Sequence, residues 1–487
     1  MSYIYPESRH QLIMPFCIDD YVSKDNPVRF IDVFVDKMVE IQPELLSEKG
    51  TKHTGRSAYQ FSTLFKLYIY GFLNSISSSR KLEQETHRNL EVIWLLGNLR
   101  PDHKTISDFR KDNKEGIRTI TLSFRKFLVA EGYIGGKQMT TDGTKIKANA
   151  SKNTLSKQLI DRRLSSLESE LDKYLTQLQS NDSFESLEEQ INGLSKELGV
   201  ESALLDKIAS LQSQVEKLEK YKQILEESGR DALAPADPEA KTMKTKEGFM
   251  PAYNTQSTVD NEHDMFAQLD ATDEPNDYYR LKKNAEAVKE QINVVPENLS
   301  GDKGFANEDQ IKNLEEQGIC CIVPFPEQSI YQKQAESGIS FTYDSNKDCF
   351  YCSQGQTLSL IVKRKIKKGK PYAVYQGKTC NSCPLKSQCT TSKKGRIIHR
   401  RLDGDWLRSY KAKLTTPDYI QKCKERKNHV EHPFGTIKRW MGKIPLLLRG
   451  KEKVQVELDL YATCYNLKRL MNIEPMDKLM QIIVNCG

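Results

Sequence analysis

A chain of 487 residues is longer than one ordinary domain, so two to four structural units are expected. Hydrophobic content of 38% beside 29% charge is that of a globular protein, and no apolar run approaches the roughly 18 residues a membrane span needs. The net charge of +7 is modest, and the opening MSYIYPESRHQ lacks the basic start and apolar core of a signal peptide, so a cytoplasmic rather than a secreted protein is expected.

Residues 1–133 read as mostly helical. Phe61 to Ile76 carries apolar residues at helical spacing, and in RPDHKTISDFRKDN either Thr105 or Ser107 is the expected N-cap of the next helix. A helix-turn-helix-like DNA-binding module fits this region, and so does a plain packing domain. Within 134–150, GGKQMTTDGTKIKANA alternates with β-branched residues and reads as a strand with one carboxylate, Asp142, near its centre and Gly143 after it.

Residues 151–245 change character. Ile160, Leu164, Leu167, Leu171, Leu175 and Leu178 recur at helical spacing, as do Leu205, Ile208, Leu211, Val215, Leu218 and Leu225. A long helical hairpin with coiled-coil-like packing is expected, serving as a spacer or dimerisation arm and followed by a linker. In 246–328 the period returns to strands: Tyr253 to Asp260 and Met265 to Thr272 as a hairpin, and a helix from about Tyr278 to Ile292. A short strand ending at GDKGF, a helix over NEDQIKNLEEQG and a strand from Cys320 to Phe325 complete it. Without the helical insertion, this order suits a three-layer α/β domain around a mixed sheet.

The segment 329–402 holds a separate, strand-poor, Cys-rich and basic module. Between Ile361 and Arg400 stand about a dozen Lys and Arg and no Asp or Glu, an imbalance that attracts phosphate backbones or merely guards a sheet edge. Cys352, Cys380, Cys383 and Cys389 suit a tetrahedral structural Zn²⁺, with Cys349 as a fifth contender. In 403–487, Thr416 to Met441 and Val454 to Asn472 read as helices.

Three carboxylates stand out by position: Asp142 inside a strand, Asp302 at a strand end, and Glu431 on a helix. Such oxygens are the hard ligands Mg²⁺ prefers, although a lone carboxylate is ordinarily a capping or solvated group. Lys438 lies seven residues, about two turns, beyond Glu431 and shares its face, while Arg426, Lys427 and Arg439 extend a basic surface that suits DNA.

The stretches RPDHKTISDFR, TTDGTKIKANAS, DPEAKTM with YNTQSTVD, DATDEPND, GDKGF and VEHPFGTIKRWMG occur in this order. In them the chain resembles insertion-sequence transposases of the IS1182 group, within the wider IS4 and IS5-like DDE class, from about Pro101 to Gly442. The resemblance implies an α/β fold: an RNase H-like core with an N-terminal helical domain, a helical-hairpin insertion and a small Cys-rich β insertion. It implies Asp142, Asp302 and Glu431 as catalytic ligands of two Mg²⁺ ions, with Mn²⁺ as substitute, and Asn276 beside Asp277 as a contact to DNA ends or a turn. It favours Cys352 over Cys349 for Zn²⁺. The implied activity is cleavage at element ends and strand transfer into target DNA, by a homodimer in a bacterial, cytoplasmic, nucleoid-associated setting. The positions where relatives have Tyr and Arg on the Glu431 helix hold Lys424 and Lys427 here. The alternatives are a nuclease of the same fold that does not join, and a domesticated DNA-binding protein.

Overall fold

The structure, a computed structural model, describes residues 17–42, 44, 58–188, 198–325, 338–367, 369–440 and 446–485; for 177–188, 198–205, 430, 431 and 438–440 it describes the backbone alone. It divides into two compact units, one of residues 1–277, 284–295 and 429–487, the other of 278–283 and 296–428.

In the first unit, helices α1 (Pro27–Glu40), α2 (Phe61–Leu73), α3 (Ser79–Arg88), α4 (Leu90–Leu95), α5 (His103–Asp112) and α6 (Lys114–Ala130) precede the first strand. Helix α1 starts where the Asn26 side chain accepts the Val28 N–H and Pro27 presets the first turn. Helix α2 is buried continuously from Leu64 to Phe72, which explains its nearly all-apolar sequence. The N-cap of α5 is Asp102, not Thr105 or Ser107: its Oδ1 accepts the N–H groups of Lys104 and Thr105, each at 2.9 Å. Thr105 supports that cap by donating its hydroxyl to Asp102 Oδ2 at 2.9 Å.

Strand β1 (Gln138–Lys147) is followed by a short ladder, β2 (Leu155–Ser156) with β3 (Ala232–Leu233), at the base of the hairpin formed by α7 (Lys157–Glu188) and α8 (Leu198–Ser228). Leu155, Ile160, Leu164, Leu218, Tyr221, Leu225 and Leu233 form that base's apolar core. The expected seam thins outward, where Leu175 is exposed; the side chains of Leu178 and Leu205 lie outside the described ones. Strands β4 (Lys241–Thr245), β5 (Gly248–Asp260) and β6 (Met265–Thr272) complete this unit's antiparallel sheet: β5 pairs with β1, β4 and β6. Helix α9 (Leu281–Ile292) follows.

In the second unit, β7 (Asn298–Ser300) and β8 (Cys320–Ile322) are parallel and joined through α10 (Glu308–Glu316). Then come β9 (Phe341–Asp344), β10 (Cys349–Cys352), β11 (Thr357–Lys367), β12 (Lys370–Gly377), the one-turn helix α11 (Lys386–Cys389) and β13 (Ile397–Arg401). Their antiparallel order is β13-β12-β11-β10-β9. The module expected to be strand-poor is therefore largely strand. Among the described residues its core is small, with Leu358, Ala373, Tyr375 and Ile398 clustered and partly buried neighbours packed on them, so little apolar alternation marks it in the sequence.

Helices α12 (Asp405–Leu414), α13 (Pro417–Trp440), α14 (Lys451–Ile473) and α15 (Met476–Val484) close the chain, and α13 runs unbroken through Pro433. Helix α14 is buried along most of its length in the first unit. Its polar side chains are paired: Arg110 Nη1 with Glu457 Oε1 at 2.9 Å, and Arg118 Nη1 with Asp459 Oδ1 at 2.6 Å. Among the described residues, no helix is long and apolar enough to cross a membrane.

Candidate active site

Asp142 lies at the middle of β1, opposite Ser257 of β5. Directly opposed residues of an antiparallel pair share a face, and faces alternate along a strand. The register Thr140 to Val259 and Val259 to Phe266 therefore puts Asp142 on the same face as Phe266. Phe434 of α13 meets Phe266 edge-on on this face, ring centroids 5.8 Å apart. His429 of the same helix pairs with Asp264, Nδ1 to Oδ1 2.6 Å, and His432 Nδ1 lies 3.2 Å from the Tyr465 hydroxyl. Glu431 thus sits in a stretch of α13 held at His429 by Asp264, at His432 by Tyr465 and at Phe434 by Phe266. The side chains of Glu431, Lys438 and Arg439 are outside the described ones.

The opposite face of β1 is built differently. Gly143 faces Asp277, the second residue of the Asn276–Asp277 pair. A Cβ on Gly143 would stand 2.3 Å from Asp277 Oδ1 and 2.6 Å from Gln256 Nε2. Asn254 Nδ2 and Gln256 Nε2 both donate to that Oδ1, at 2.8 and 2.6 Å. Asn284 of α9 completes the set, donating to Gln256 Oε1 at 2.9 Å and to the Thr141 hydroxyl at 2.7 Å. Asn254, Gln256 and Asn284 are fully buried, so this network locks the strand from behind Asp142. Sequence reasoning missed these amides; their signal was polar residues repeating every second position in YNTQSTVD. Asn276 itself is exposed.

Asp302 belongs to the second unit, just past the C-terminal end of β7. Its Oδ1 accepts the Gly304 N–H at 2.7 Å and caps the short turn that buries Phe305. Asp260, at the end of β5, accepts the backbone N–H groups of Gly135, Gly136 and Glu262 at 3.0–3.1 Å. Of the basic residues expected near DNA, Lys427 is exposed and Arg426 half-buried on α13, and neither forms an ion pair among the described residues.

Among the described residues, no three His, Cys, Asp or Glu side chains stand ready-arranged around a metal position. Cys352, Cys380, Cys383 and Cys389 nonetheless line one cavity of the second unit, together with Phe341 and Leu358. Burial pushes the Cys389 thiol up, and the adjacent Cys380, Cys383 and Cys352 add to this while Arg396 opposes it. Cys352 already accepts the Gln356 N–H at 3.3 Å. Cys349, an odd number of residues away on β10, faces the other side of the strand and is buried.

A family model described as a transposase DDE domain matches residues 351–471, a range that includes Glu431 and the thiol cluster and neither Asp142 nor Asp302. A second, described as a transposase domain (DUF772), matches residues 16–112, the N-terminal helices. No relative was found among curated proteins. One solved structure, the piggyBac transposase synaptic complex with hairpin DNA, aligns at 9% identity over 94% of this chain and 79% of that one. Its TM-score of 0.33 makes it a distant likeness. The two domain matches define a DNA-rearranging enzyme. The chain thus carries two transposase domains, one of them of the DDE kind, a pair typical of IS1182-type transposases.

Proposed function

We propose that this transposase cuts at the ends of its own element and joins them to target DNA with an RNase H-like core, using Asp142, Asp302 and Glu431 as its acids. The supporting observation is that Asp142 and the helix of Glu431 share one sheet face, while the other face is filled by a locked amide network. The donor set suits Mg²⁺, because all three acids offer hard oxygen ligands and Asp302 keeps one carboxylate oxygen beyond its capping bond. A pair of Mg²⁺ ions, or Mn²⁺ in their place, supplies charge to the attacking and leaving oxygens when bound.

The chain's own residues do the rest. Asp142, held at mid-strand, supplies one side of the site, and Glu431 supplies another from α13. Lys438 and Arg439, within two to three turns of Glu431 on the same helix, neutralise the phosphates flanking the scissile bond. Arg426, Lys427 and Asn276 contact the DNA farther out. Water first hydrolyses a phosphodiester, releasing a 3′-OH; that hydroxyl then attacks a target phosphodiester in line and displaces its 3′ oxygen. Two ends must be held together, so the working form is a homodimer, with the α7–α8 hairpin as one contact. The four thiols lining one cavity suit a structural Zn²⁺ by number and chemistry, with Cys352 and not Cys349 in the set.

Joining separates this reading from a nuclease of the same fold. With pre-cut ends bearing 3′-OH groups, the parent protein is expected to insert them into plasmid DNA, and Asp302→Ala is expected to bind the ends without joining them. A parent that hydrolyses DNA and never joins pre-cut ends makes the nuclease reading correct.

A further inference from the structure

The basic run of the second unit has a shape that composition alone does not suggest. Strand β11 pairs with β10 only at Thr357 to Ser359, and beyond that its one strand partner among the described residues is β12. From Ile361 to Lys367 every residue of β11 is exposed, on both faces. Along this stretch β11 is an exposed edge strand, with β12 and then β13 paired in order behind it. Two register shifts interrupt it, between Leu360 and Val362 and between Val362 and Lys365, and such bulges bend a strand and tighten its right-handed twist.

The side chains of this edge are cationic. Arg364, Lys365 and Lys367 form no ion pair among the described residues, whereas Lys370, beside the turn into β12, is taken by Glu308 of α10 at 3.1 Å. Lys365 lies opposite Tyr372 and Lys367 opposite Lys370, so they share a face. Behind them is His399, held uncharged more readily than usual by burial first and then by Lys367 and Lys365. Exposed Ile366, at 57%, lies between the cations. No acid occurs from Ile361 to Arg400 to offset them.

We infer that this bulged, exposed edge strand is a DNA-holding edge that lays its cations along the backbone of duplex DNA. Its contacts are phosphate contacts that read no sequence. This inference rests on the transposase reading for the identity of its polyanion. Edge protection is the competing role, since charges also keep a lone strand from pairing with another chain.

The test uses the full chain and a fluorescent random-sequence duplex, with binding measured by anisotropy across salt concentrations. Arg364→Gln/Lys365→Gln/Lys367→Gln is expected to make the slope of log affinity against log salt shallower by two to three, at about 0.9 for each phosphate no longer neutralised. Arg364→Glu/Lys365→Glu/Lys367→Glu keeps the edge charged, so a role in edge protection alone leaves its duplex binding at the parental level. The DNA-holding assignment requires that binding to fall further than in the Gln variant, with the melting temperature unchanged because the three residues are exposed. Parental affinity and slope in both variants would overturn the role of this edge and leave the transposase reading intact. A parent that binds no duplex at all would overturn the reading beneath it.

Discussion

Replacing Gly143 by Ala tests how tightly the strand carrying Asp142 is held. The new methyl would stand 2.3 Å from Asp277 Oδ1, about an ångström short of ordinary contact. Asp277 has a short side chain clamped by Asn254 and Gln256, so it cannot swing away without stranding those amides. Overpacking of this kind costs about 1–3 kcal/mol, and a buried donor left without its acceptor about the same again. The loss of glycine's extra backbone freedom in the unfolded chain returns only about 0.5–1 kcal/mol. A net destabilisation of roughly 2–4 kcal/mol is therefore expected.

Asp277→Ala alone should also destabilise, but in its background the methyl meets only the end of Gln256, now free of its acceptor. Gly143→Ala should then cost far less, giving a coupling of about 1–2 kcal/mol in a double-mutant cycle read by urea unfolding of the full chain. Equal costs for Gly143→Ala in both backgrounds would refute the packing argument.

Three further outcomes follow from the same geometry. The purified chain should carry one zinc, lost in Cys352→Ser and Cys380→Ser and kept in Cys349→Ser, as read by elemental analysis. Asp102→Ala should lower stability by about 1 kcal/mol near neutral pH, because two N–H groups at the start of α5 lose their acceptor. Those bonds hold the Asp102 carboxyl below its usual range, so its contribution is present above the ordinary Asp value and lost as pH falls through the lowered one; melts of variant and parent should converge in acid. Burial pushes Asp459 up to about 6, against the pull of Arg118 and Arg125. Its folded form thus holds a proton that the unfolded chain has released, and its contribution is lost as pH rises from about 4 through 6. The stability of the parent relative to Asp459→Asn should fall across that window, and a rise would contradict the assignment.

Much of the elements' order was legible because it is local. The α2 run, the leucine spacing of α7 and α8, and the strand around Asp142 are each set by neighbours in sequence. The sheet of the second unit was not, because its core is small and its longest strand is exposed all along Ile361 to Lys367. The α5 cap was misplaced by three or five residues because Asp, Thr and Ser all cap well and only the fold decides among them. Around the candidate site, the strand of Asp142 and the helix of Glu431 could be read, but the amides of Asn254, Gln256 and Asn284 could not. Their role arises when β5 and α9 meet, and a buried amide has no sequence signature beyond being polar where an apolar residue is expected.

The central claim is that Asp142 and Asp302 bind the metal through their carboxylate oxygens, and a change of ligand atom tests it most directly. Asp142→Cys and Asp302→Cys each place a soft thiolate where Mg²⁺ wants oxygen, while Mn²⁺ accepts sulfur more readily. Several kcal/mol of lost transition-state stabilisation is roughly a thousandfold or more in rate. Both variants should bind element-end duplex as the parent does, lose cleavage with Mg²⁺ by that factor, and recover part of it with Mn²⁺. Cleavage at the parental rate with Mg²⁺ by either variant would contradict the account.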